Sequence, residues 1–111
     1  TGGGAAALAC LDLLCATGLR RENVTVCDIE GVVWEGRPGT DPYKARYAQR
    51  TEARRLEEVL EGADVFLGLS APRVFKPEWL PKLAPKPLVL ALANPEPEIL
   101  PEAVRAARPD A

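Results

Sequence analysis

The chain contains no histidine. Ser-His-Asp and Cys-His catalysis within these residues is therefore excluded, as is any histidine-ligated metal site. Methionine is absent as well. A natural reading frame begins with one, so the chain is expected to be a piece of something longer, or processed or incomplete. No apolar run approaches the ~18 residues that a membrane helix needs, and no charged-apolar-small signal peptide is present. A soluble, cytoplasmic protein with no membrane partner is expected. Cysteine is sparse: Cys10, Cys15 and Cys27 are odd in number and lack C-x-x-C spacing. Reduced, buried, alanine-like thiols are expected.

An excess of one charge sign is also missing. Net charge is −2, with acidic and basic residues interspersed. That gives no electrostatic case for nucleic acid or an anionic membrane surface. Arg46, Arg50, Arg54 and Arg55 cluster most, but Glu52, Glu57 and Glu58 dilute them, and a solvated helix face is the plainer reading. What remains is globular in composition. At 111 residues, 47% apolar and 27% charged, the chain fits one domain with a modest core.

Along the chain, helical and strand-length patterns alternate. Ala7, Leu8, Leu11, Leu14 and Cys15 form a stripe at helical spacing, so Ala5 to Thr17 reads as a helix with Gly18 as its stop. Val24 to Asp28 ("VTVCD") is β-branched and reads as a buried strand, with a turn at Glu30-Gly31 and a brief extended return in "VVWE". Asp41 is an N-cap with Pro42 at the first helical position. Thr51 to Gly62 reads as a second amphipathic segment. Asp64 to Ser70 and Pro87 to Asn94 are apolar runs of strand length. A short helix starts at Pro77, and "PEAVRAARP" closes as another between prolines. Such alternation predicts an α/β fold, a parallel sheet with helices on both faces.

The opening "TGGGAAALACLDLL" sharpens this. Gly2, Gly4 and Ala7 fit G-x-G-x-x-G/A, the dinucleotide-binding fingerprint. Glycines let backbone N–H groups approach a pyrophosphate, and the helix behind them adds a partial positive charge and unpaired donors. Gly2, Gly3, Gly4, Ala5 and Ala6 are thus candidate cofactor-binding residues. A second strand should end in an acid that accepts from the adenosine ribose hydroxyls. Asp28 ends "VTVCD", 24 residues after Gly4. The competing reading is that Asp28 merely forms a turn. Ile29 and Glu30 follow it where NADP sites place a cation, which favours NAD, with NADP the alternative. Ser70 and Asn94 end the other two runs, at the sheet edge where ligands bind, though each also suits an ordinary turn.

"TGGGAAALACLDLL", "VTVCDIEGVVWEGR", "DPYKARYAQRT", "LEGADVFLGLSAP" and "LALANPEPEILPEAVRAARPDA" together resemble the NAD(P)-binding domain of bacterial-type malic enzymes, in order over essentially all 111 residues. "ADVFLGLSAP" and "ALANPEPEI" are the most specific parts. The resemblance implies oxidative decarboxylation of L-malate to pyruvate and carbon dioxide, with a nicotinamide cofactor and a divalent metal, Mg or Mn. It implies that Asn94 sits near the nicotinamide ribose and that Ser70 and Ala71 line the cofactor cleft. It also implies a complete enzyme that is a homodimer or higher homo-oligomer. Arg73 and Lys76 depart from the family's usual residues.

In that family the acid, the base and the metal ligands lie upstream of the glycine loop, so no catalytic or metal-ligating residue is assigned here. Residues 1–111 are expected to be a partial NAD(P)-binding domain without the malate and metal domain. Tyr43, Lys44 and Tyr47 are not drafted as substitutes, because "DPYKARYAQ" reads as a surface helix. The expected sheet is Rossmann-like, without its first, central strand and its last strands. It should split into two parts, leaving the segment inert alone. Two other functions stay open: an S-adenosylmethionine-dependent methyltransferase and a non-catalytic NAD-sensing regulatory domain.

Overall fold

The computed structural model describes residues 4–69 and 73–111. Its chain forms two compact units, Thr1–Leu56 and Glu57–Ala111. The fold is mixed α/β, and the described strands lie in two separate two-stranded sheets.

The first unit opens with helix α1 (Ala5–Ala16), N-capped by the Gly4 backbone. Its end is set by Gly18, at φ +123°. The Gly18 N–H donates to the Cys15 carbonyl and the Leu19 N–H to the Leu14 carbonyl, the paired bonds of a left-handed helix stop. Leu8 enters a core with Val24, Val26, Val33 and Tyr47, against which Leu11, Cys15 and Ala48 pack. The expected stripe is therefore real but narrower, since Leu14 is largely outside it.

Strand β1 (Cys27–Asp28) is shorter than the run that predicts it, and it pairs antiparallel with β2 (Gly31–Val32) instead of joining a parallel sheet. The cause is local. The Asp28 carboxylate accepts the Glu30 N–H at 2.9 Å, and Gly31 takes φ +101°, so the chain reverses at once. A Cβ at Gly31 would strike the Arg54 carbonyl, which makes glycine obligatory at that position.

Asp41 caps α2 (Pro42–Ala45) as expected, accepting the Lys44 N–H at 2.9 Å. The following residues are not a surface helix: Tyr47 is only 1% exposed. Nor does the Thr51 to Gly62 stretch form one long helix. Only α3 (Leu56–Val59) is helical, and the division between the units falls there. Backbone groups upstream are already used, the Arg54 carbonyl by the Val32 N–H and the Ala53 N–H by the Thr51 hydroxyl. The Arg54 guanidinium lies 4.0 Å from the Trp34 ring, which anchors the segment in its non-helical path.

In the second unit, β3 (Val65–Gly68) and β4 (Leu88–Ala91) form the expected parallel pair, with Val65 opposite Leu88 and Gly68 opposite Ala91. The crossover between them contains a 3₁₀ turn, Pro77–Lys82. Phe75 is buried, edge-on to Phe66 at 4.8 Å and to Trp79 at 5.8 Å. Helix α4 (Pro101–Ala107) starts at a proline, as its sequence predicts. Beyond it, the Arg108 guanidinium donates to the Leu80, Leu83 and Ala84 carbonyls and pairs with Asp110.

Candidate cofactor site

Gly4 sits at the N-terminus of α1 in extended backbone, with no side chain capping the helix. Ala5 and Ala6 form the exposed first turn, which carries no acidic residue. Among the described residues no side chain caps its N–H donors, and the first-turn side chains are methyl groups. Gly2, Gly3, Ser70 and Ala71 lie outside the described residues.

Asp28 ends β1 with its side chain 11% exposed. Arg37 donates to both carboxylate oxygens, at 3.0 and 2.6 Å, and Lys44 donates to one at 3.0 Å. Together with the Glu30 N–H these bonds engage the four lone-pair directions of the carboxylate. Burial opposes its ionisation, but the Arg37, Lys44 and Glu30 bonds outweigh burial and hold the group well below the usual carboxylate range. Arg37 is itself aimed by Thr40 and the Val32 carbonyl.

Searching only the residues adjacent to Asp28 misses both cations. Arg37 lies nine residues on, past the Gly31 reversal, and Lys44 lies sixteen on, in the turn that Asp41 caps. The Asp41-Pro42 cap is the local signal there, because it fixes the backbone of Lys44. Tyr47 donates to Asp12, and its hydroxyl is pushed up to about 12, by burial first and that bond second.

The second unit carries the other strand ends. Asn94 is exposed, three residues past β4. Four residues further, Glu98 is fully buried and accepts the Ala93 N–H at 3.0 Å. Nothing local in the sequence singles it out, since "NPEPEI" holds two identical-looking glutamates, of which Glu96 instead pairs with Arg73 on the surface. Among the described residues no group of three or more His, Cys, Asp and Glu could hold a metal ion. Among them, too, no helix is long and apolar enough to cross a membrane.

Known proteins match this arrangement along its whole length. The chain is 61% identical, over all its residues, to the NAD-dependent malic enzyme of Rhizobium meliloti. It belongs to the malic enzyme family. An NADP-dependent malic enzyme of Escherichia coli is 51% identical, again over the whole chain. The chain spans only 14% and 15% of the length of these two curated relatives. Among solved structures, the NAD-dependent malic enzyme of Thermotoga maritima superposes on 96% of the chain with TM-score 0.85 and 40% identity, the match covering 29% of that structure. The malic enzyme of Entamoeba histolytica does so with TM-score 0.84 at 28% identity, covering 24% of its own chain. No family model matches. Malic enzymes are oxidoreductases, and the whole-chain likeness weighs against a methyltransferase.

Proposed function

We propose that this chain is the nicotinamide-cofactor-binding part of a cytoplasmic, homo-oligomeric malic enzyme. That enzyme converts L-malate and NAD to pyruvate, carbon dioxide and NADH. Its acid, base and divalent-metal ligands lie outside these residues, and the chain alone is inactive. One observation carries the reading. A helix opened by glycine, with an uncapped N-terminus, shares a unit with a shielded carboxylate at a strand end. Gly2, Gly3, Gly4, Ala5 and Ala6 receive the pyrophosphate, and Asp28 the adenosine ribose. Ser70, Ala71 and Asn94 serve the nicotinamide half. A nicotinamide held by these residues would supply the acceptor for the hydride that leaves malate.

Because the lone pairs of Asp28 are engaged, a ribose hydroxyl gains an acceptor only as Lys44 yields its place. Lys44 is the more exposed of the two cations, its side chain at 19% against 9% for Arg37. Asp28→Ala in the complete enzyme should raise KM for NAD about tenfold or more while KM for malate stays within about twofold. Unchanged NAD kinetics would count against the ribose role. NADP in place of NAD is favoured by one observation, the two cations meeting at Asp28. The ratio of kcat/KM for the two cofactors decides between them. Calorimetric titration with NADH against S-adenosylmethionine tests the cofactor class itself.

A further inference from the structure

Glu98 is a buried acid that no step of the proposed reaction uses. Among the described residues it is the one charged side chain in the buried set. Burying a carboxylate is unfavourable unless hydrogen bonds replace its water, so packing alone gives no reason for an acid here. Its surroundings are specific. The carboxylate accepts the N–H of Ala93, the residue before Asn94, at 3.0 Å. It also occupies the space left by Gly68, the last residue of β3, where an added Cβ would lie 2.9 Å from Oε1 and closer still to the rest of the group.

The main chain on both sides is fastened too. The Phe75 N–H donates to the Glu98 carbonyl at 3.2 Å, and the Arg73 N–H to the Pro97 carbonyl at 3.1 Å. The carboxylate is thus held from its own backbone and set against the ends of β3 and β4. Ligands of open α/β sheets bind beyond such carboxyl ends.

We propose that Glu98 is a positioning residue: by fixing Ala93 N–H against the end of β3, it sets the direction in which Asn94 leaves β4 and so its aim at the nicotinamide end of the cofactor. The inference rests on the cofactor-binding reading above. It assigns Glu98 an effect on the hydride-transfer geometry and little effect on how tightly the adenosine half is held. Small errors in reacting geometry cost large factors in rate.

The test uses the complete enzyme, with NADH binding to the unaltered protein measured first by fluorescence. No binding there sinks the cofactor reading itself; normal binding lets the variants address Glu98 alone. Glu98→Ala should lower kcat about 10- to 100-fold, with KM for NAD within about threefold. The primary isotope effect on kcat, with malate deuterated at the hydride-donating carbon, should rise as that step becomes limiting. Glu98→Gln, which keeps an acceptor for Ala93, should recover at least about fivefold of the lost kcat. A Glu98→Ala enzyme with unaltered kcat and isotope effect, whatever its thermal stability, overturns the inference. Should that variant not fold, Glu98→Asp keeps the charge but shortens the reach. A lowered kcat with a raised isotope effect supports the proposal, and an unaltered kcat overturns it.

Discussion

Two carboxylates stand near strand ends, one in each unit, and they are satisfied in opposite ways. Asp28 is held by the ends of two long cations, Arg37 and Lys44, and by one turn N–H. Glu98 is held by a main-chain N–H and fits a space that only a glycine leaves open. The first arrangement can be remade, because a guanidinium or ammonium can swing toward a ligand that offers new acceptors. The second is tied to the main chain just past β4, which has no alternative rotamer to adopt.

That difference is open to direct attack, most severely at Gly68. Gly68→Ala should cost about 3 kcal/mol or more, because its Cβ would meet the buried Glu98 carboxylate, which must leave its bond to the Ala93 N–H to make room. Urea unfolding measures the loss, and a cycle with Glu98→Ala should return part of it. Asp28→Ala should cost less, about 2 kcal/mol, since Lys44 can swing to solvent and Arg37 keeps its bonds to Thr40 and the Val32 carbonyl. If the Asp28 change proved the costlier, the distinction between movable and fixed ties would fail.

A milder probe is pH. Ion pairing depresses the folded pKa of Asp28, so its stabilisation is complete above its unfolded value of about 3.9 and is lost as pH falls below that toward the folded value. The wild-type chain should therefore lose stability between about pH 4 and pH 2 more steeply than Asp28→Asn does, as acid melts followed by circular dichroism will report. Parallel slopes for the two proteins would remove the pair from the account.

Smallest in energy is a labelling contrast among the thiols. The expectation that all three are buried fails at Cys10, which is exposed, while Cys15 is intermediate and Cys27 buried. Burial pushes the Cys27 thiol up to about 11. Iodoacetamide at pH 8 should modify Cys10 within minutes and leave Cys27 unmodified in the folded protein, as read by peptide mass spectrometry.

Much of this was legible in the residues because the signals were local. The glycine stop of α1, the Asp41-Pro42 cap, the runs that became β3 and β4, and the proline start of α4 each depend on a few neighbours. The turn at Glu30-Gly31 and the extended return after it were legible as well; that β1 would pair with this return and not join a parallel sheet was not, since it depends on Asp28 turning inward to the Glu30 N–H. The Thr51 to Gly62 segment misled for a related reason: β2 claims the Arg54 carbonyl, and a pattern of leucines and glutamates cannot report that competition. At the site, Asp28 stood out by its place after a β-branched run, whereas Arg37 and Lys44 reach it only through two turns. Glu98 carried no local signal, because its meaning lies in a glycine thirty residues earlier.

The two tryptophans are divided evenly between the units, Trp34 beneath the Arg54 guanidinium and Trp79 at the edge of Phe75. The molecule therefore carries a separate fluorophore in each unit. Replacing either with phenylalanine leaves one emission spectrum that reports on a single cation–aromatic stack or a single aromatic cluster. The order in which the two units melt can then be read optically, with no label attached.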